Sequence, residues 1–158
     1  MSPDLPAALR VAIDWELEGA PRRDLAERAA RTSAAYRAGG TSREAIRDGK
    51  DALAYALARL PATYAACAAA FAEAVRAAPG FRPHSLLDAG AGAAGASWAA
   101  LEAWPTVAAV SWLDASVPFL DLAGRLAEGG PPSLAGAERR RVDLTGPGPW
   151  PQADLVAG

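Results

Sequence analysis

Ten consecutive residues, Leu86-Leu87-Asp88-Ala89-Gly90-Ala91-Gly92-Ala93-Ala94-Gly95, constrain this chain more than any others. Ser85 to Leu87 is a short apolar run that reads as a buried strand. A glycine-rich turn follows, and an alanine-rich helix is predicted from about Ala94 to Ala103. Strand, glycine turn and helix in that order open a nucleotide-binding βαβ unit. Glycines permit the tight turn and let a ligand approach the backbone. The helix N-terminus then presents unpaired N–H groups to polar or anionic ligand atoms.

Two carboxylates sharpen this reading. Asp88 stands two residues before the first glycine, where it would repel a pyrophosphate but suits a ligand with an ammonium group. Asp114 lies 19 residues after Gly95, at the end of a second apolar run from Val107 to Leu113. A carboxylate there can accept hydrogen bonds from ribose hydroxyls. Together they point to S-adenosylmethionine rather than NAD. Plainer alternatives stay open: a simple tight turn for Gly90, Gly92 and Gly95, a solvated strand end or helix cap for Asp88, and the start of the next helix for Asp114.

Composition narrows the class. With 16 basic and 18 acidic residues the net charge is −2, so no global positive field draws the chain to nucleic acid. The single cysteine, Cys67, cannot form an internal disulfide or by itself hold a metal or iron–sulfur cluster. It reads as a small core residue on a helix face. His84 is the only histidine, which excludes a centre built on several histidines, and its place before the first strand suits a linker. Met1-Ser2-Pro3-Asp4 lacks the basic and apolar regions of a signal peptide. The most apolar stretch, Leu60 to Ala72, is mostly alanine and too short to span a bilayer. The expectation is a soluble, cytoplasmic protein with no membrane association and no metal.

The first 78 residues are predicted to be helical. Leu5, Leu9, Ile13 and Leu17 share one face of a helix over 4–18, ended by Gly19. Pro21 opens a second, running to about Arg37 and stopped by Gly39-Gly40. Thr41-Ser42-Arg43-Glu44 is a capping-box pattern. The helix that follows is open to interruption at Asp48-Gly49. Leu53, Leu57 and Leu60 carry the apolar stripe to Pro61, where a break, a kink or a new helix is expected. Tyr64, Cys67 or Ala68, Phe71 and Val75 form the next stripe.

Residues 79–84 form a linker, and the pattern changes at Ser85. Strands are predicted at 85–89, 107–113, 140–144 and from Asp154, with a helix from about Ser116 to Ala127. Asp143 falls near the end of the third strand. The expected fold class is therefore α/β: a helical N-terminal region (1–78), a linker (79–84) and an incomplete Rossmann-like parallel sheet (85–158). A doubly wound sheet normally has further strands, so the chain reads as a fragment of a longer protein.

Beyond the glycine motif, Ala96-Ser97-Trp98-Ala99 and Glu102-Ala103-Trp104-Pro105 resemble the methyltransferase-like proteins of the mitochondrial small ribosomal subunit and their bacterial relatives. Ala35-Tyr36-Arg37, Asp51-Ala52-Leu53-Ala54-Tyr55 and Arg59-Leu60-Pro61-Ala62-Thr63-Tyr64 are similar to the helical region of the same family. The resemblance covers nearly the whole chain but only the front half of such a protein. It implies a class I S-adenosylmethionine-dependent methyltransferase fold. Asp88, Gly90 and Gly92 would border the methionine part of the ligand, with Gly95 in the same turn. Asp114 would bind the ribose, and Asp143 would face the adenine amino group. The alternative for Asp143 is a turn carboxylate.

The sequence departs from that pattern at Ala94, where a third glycine is usual. The family's cysteine-rich part, implied to hold an iron–sulfur cluster, would lie further downstream and has no counterpart here. The resemblance implies action on or with small-subunit ribosomal RNA, as a methyltransferase or as a non-catalytic assembly scaffold. Arg22-Arg23 and Arg139-Arg140-Arg141 are candidate RNA contacts, or else a solvated helix start and a charged strand edge. An NAD-dependent oxidoreductase is the alternative from another class, because Gly90, Gly92, Gly95 and Asp114 also fit its spacing.

Overall fold

The computed structural model describes residues 4–158. Met1 to Pro3 lie outside the described residues, and with them part of the stretch read as lacking a signal peptide. The chain is α/β, with helices first and a four-stranded parallel sheet after them.

Helix α1 (Ala7–Leu17) ends before Gly19, which takes a positive φ of 75°. Helix α2 (Arg22–Arg37) follows Pro21, whose fixed φ suits a helix start. The capping box forms: Thr41 and Glu44 bond reciprocally at the start of α3 (Ser42–Ala45). The helix is interrupted before Asp48-Gly49, with residues 46–48 non-helical between α3 and the next helix. The Asp48 carboxylate accepts the Asp51 N–H at 2.8 Å and caps a new helix, α4 (Gly49–Ala77).

Helix α4 differs from the expectation at Pro61. It runs through the proline as one helix of 29 residues. Proline removes an intrahelical N–H at a cost of about 3 kcal/mol. Tertiary packing outweighs that cost, because α4 packs on α2 through its first half and on the helix after the glycine turn through its second. Leu60 and Tyr64, on either side of Pro61, are both buried. Further along, Phe71 meets Trp104 with ring centroids 5.3 Å apart, and Cys67 packs half-buried against the core.

Strand β1 (Ser85–Ala89) sits where it was predicted. Helix α5 (Gly95–Ala103) leads to β2 (Ala109–Asp114), which starts two residues later than expected. Val107 is held in a turn by the Trp104 carbonyl, and the N–H groups of Ala108 and Ala109 donate to the His84 carbonyl. His84 therefore anchors the sheet entry through its backbone. Helix α6 (Val117–Ala127) follows, capped by Ser116. A short helix, α7 (Pro132–Ala135), occupies part of the expected loop. Strand β3 (Glu138–Arg141) is earlier than predicted, and β4 (Leu155–Ala157) is the last element.

The sheet order is β3-β2-β1-β4, all parallel. The strand sequence reverses direction beside β1, and in such sheets ligands bind outside the carboxyl ends of the strands at that point. One hydrophobic cluster runs from Leu9 and Leu25 through Leu60 and Trp98 to Ala157, so the helical region and the sheet share a core. No helix among the described residues is long and apolar enough to cross a membrane.

Candidate ligand-binding cleft

The register of β1 and β2 sets Ala89 beside Leu113 and so brings the glycine turn next to the end of β2. The N–H groups of Gly90 and Ala91 both donate to the Leu113 carbonyl, at 2.8 and 3.0 Å. Gly90 and Gly92 take positive φ values of 76° and 53°, which favour glycine. Ala94 also takes a left-handed conformation, with φ of 65°. This is the position where the methyltransferase pattern usually has its third glycine. The backbone keeps the shape a glycine would allow, and alanine bears a strain of about 1–2 kcal/mol.

Asp114 is buried at the floor of the cleft, 3% exposed. One carboxylate oxygen accepts the Gly92 N–H at 2.9 Å and the other accepts the Ser116 N–H at 2.8 Å. Each oxygen keeps a further lone pair for a ligand hydroxyl. Gly92 has open space where a side chain would begin, so a ligand can approach the backbone there.

Gly95 has a second reason to be glycine. A Cβ at this position would lie 2.9 Å from Leu60 Cδ1 and 3.6 Å from Thr63 Cγ2. Gly95 lines the cleft and also lets α5 approach α4.

Asp88 lies behind the turn. It is 2% exposed, and its carboxylate accepts the Ser97 hydroxyl at 2.6 Å. The Ser97 oxygen in turn accepts the Trp112 indole N–H at 3.0 Å. Burial pushes the Asp88 carboxyl up to about 6; the bonds from Ser97 oppose the shift and the Asp114 charge adds to it. Asp88 is not part of the cleft lining. Asp143 is also apart from it. The third strand ends at Arg141, and Asp143 is exposed in the following turn, where its carboxylate accepts the N–H and hydroxyl of Thr145. The structure thus brings together Gly90, Gly92, Gly95 and Asp114 in the cleft lining, buries Asp88 outside that lining, and leaves Asp143 in the exposed turn after β3.

The opposite wall comes from the helical region. Tyr55, Arg59 and Thr63 of α4 are spaced four apart on one face and line the cleft together with Tyr36 of α2 and Ser42 of α3. Phe119 of α6 closes one side. The Tyr36 and Tyr55 rings meet at a tilt of 36° with centroids 5.0 Å apart, and Tyr55 meets Phe119 at 5.9 Å. Burial pushes the Tyr36 hydroxyl above its usual range, so it stays protonated and can donate. The cleft has a volume of about 280 Å³. The sequence reading missed these wall residues as site residues, although Tyr36, Tyr55, Arg59 and Thr63 fall in stretches it singled out for their family resemblance.

A buried carboxylate also organises the wall from outside. Asp51 accepts bonds from Arg28 at 2.8 Å and from Arg31, and its other oxygen takes the Arg47 N–H at 3.1 Å. This network ties α2 to the first turn of α4 and so fixes where Tyr36 meets Tyr55.

Of the two arginine clusters named from the sequence, Arg139 to Arg141 form the exposed strand β3, with Arg140 bonded to Glu138 and Arg139 within 4.0 Å of Asp121. Arg23 pairs with Glu27 on the surface of α2. Among the described residues, no group of three or more histidine, cysteine or acidic side chains could hold a metal.

Residues 49–157 match the family model described as mitochondrial small ribosomal subunit Rsm22. No curated protein sequence matches the chain.

Proposed function

We propose, from the premise that this chain belongs to the Rsm22 family of the mitochondrial small ribosomal subunit, that its cleft binds S-adenosylmethionine in the service of work on or with the small subunit and its ribosomal RNA. One observation carries the reading: Asp114 is a buried carboxylate at the end of β2, held by the Gly92 and Ser116 N–H groups and facing the cleft. That is the place and chemistry a ribose diol requires.

The residues present fit such a ligand. Asp114 would hold the ribose hydroxyls. Gly90 and Gly92 would let the sulfonium region lie against the backbone. Phe119 and the Tyr36–Tyr55 pair offer aromatic faces to the adenine. Asp88 would act through the turn it supports, because its carboxylate is engaged by Ser97. The bound group would supply an electrophilic methyl on a sulfonium. The chain's own share would be binding, orientation and exclusion of water.

A second reading is a non-catalytic assembly scaffold that binds the same ligand. In that reading Asp114 keeps the same ligand-holding role, each oxygen accepting one backbone N–H and offering a further lone pair. The cytoplasmic setting expected from the sequence belongs to the same proposal.

Calorimetric titration with S-adenosylhomocysteine, with NAD in parallel, tests the ligand. Binding of S-adenosylhomocysteine alone, lost in Asp114→Ala, is the expected result. Binding of NAD alone would move the chain to the oxidoreductases.

A further inference from the structure

We infer that Arg59 is the residue that recognises the carboxylate of the ligand's amino-acid part, and so makes the cleft specific for an adenosyl amino acid over adenosyl compounds without that group. The inference rests on the S-adenosylmethionine reading above and adds to it a determinant supplied by the helical region.

The cleft lining holds two full charges, Asp114 on the sheet side and Arg59 on α4. The other arginines around α4 have carboxylate partners. Arg28, Arg31 and Arg47 converge on Asp51, and Arg76 pairs with Glu73. Among the described residues Arg59 has no acidic side chain within ion-pair distance, although it is exposed. Its position is set by helix geometry. Tyr55 lies one turn before it and Thr63 one turn after, and all three line the same cleft.

A ligand anchored by hydroxyls at Asp114 and extending along the glycine turn therefore meets one cation on the facing wall. A guanidinium offers paired donors matched to the two oxygens of a carboxylate. A neutral ligand would leave that cation without a partner. A pyrophosphate would also carry negative charge to it, so the test needs ligands that differ in the carboxylate alone.

S-adenosylmethionine and decarboxylated S-adenosylmethionine are such a pair, sharing adenosine, sulfonium and amine. Both are titrated calorimetrically into the full chain and into Arg59→Gln and Arg59→Lys. The full chain is expected to prefer S-adenosylmethionine by about tenfold, the scale of a hydrogen-bonded ion pair. Arg59→Gln is expected to lose about tenfold for S-adenosylmethionine and to change little for the decarboxylated compound, which erases the preference; Arg59→Lys should retain part of it. Circular dichroism serves as a fold control at this exposed position. A preference that survives in Arg59→Gln, or an equal loss for both compounds, would overturn the assignment while leaving the ligand reading intact. Failure of the full chain to bind either compound would overturn both.

Discussion

The backbone N–H of Gly92 donates to the carboxylate of Asp114 across 2.9 Å, from the turn after the first strand to the end of the second. Twenty-two residues separate the two in the chain. The bond links the two features that define the cleft, and Asp114 thus shapes the turn as well as lining the cleft.

Asp114→Ala leaves the Gly92 and Ser116 N–H groups without their acceptor. Each orphaned buried donor costs about 1–3 kcal/mol. The variant is expected to unfold at lower urea concentration, by about 2–6 kcal/mol in total, and to lose S-adenosylhomocysteine binding. Asp114→Asn keeps one acceptor oxygen and should fall between wild type and Asp114→Ala in chemical denaturation.

Gly95 separates packing from binding. Gly95→Val places its side chain against Leu60 and Thr63, and overpacking of this kind costs about 1–3 kcal/mol. Leu60→Ala opens the space that Gly95→Val fills. The double variant is expected to be more stable than the sum of the single effects, measured as a coupling energy in urea unfolding. Strict additivity would mean that α4 and α5 do not meet at this point.

Asp88 gives the fold a pH dependence with a definite sign. Its folded carboxyl is raised to about 6 from a usual value of 3.8, mainly by burial. The folded state therefore holds the proton more tightly than the unfolded chain. This group's contribution is most favourable at low pH and is lost as pH rises from about 4 to about 6, for roughly 3 kcal/mol over that window. Asp88→Asn keeps an oxygen for the Ser97 hydroxyl and does not titrate. The variant is expected to gain on wild type as pH rises from 4 to 7 in parallel urea titrations, and a constant difference would contradict the account.

Asp51 is the keystone of the helical wall. Asp51→Ala removes a buried carboxylate with bonds from three arginines. Loss of charge-assisted bonds of this kind is worth about 2–3 kcal/mol. Unfolding should shift to lower denaturant, and ligand affinity should fall because α2 no longer holds Tyr36 against Tyr55. Measuring both in one variant shows whether the wall is set by this network.

Much of this was legible in the sequence, for local reasons. Strand β1 is an apolar run bounded by turn signals, and the capping box at Thr41–Glu44 needs only four residues. Asp114 could be named because a parallel pair places the end of β2 beside the turn after β1. Pro61 misled because its local cost is real, while the packing that outweighs it comes from α2 and α5. Asp143 moved away from the strand end because β3 pairs from Glu138 to Arg141 and stops there. The aromatic and cationic wall was hidden for the same physical reason as the Asp51 network. Both depend on how helices far apart in the chain dock, and periodicity within one helix does not encode that.

The most direct measurement is an amide ¹H–¹⁵N titration of the full chain with S-adenosylhomocysteine. Shifts are expected to concentrate at Gly90 to Gly95, Asp114, Tyr36 and Arg59, with Arg76 in the last turn of α4 unaffected. Absence of shifts at saturating ligand, or shifts confined to residues outside the cleft, would contradict binding in the cleft.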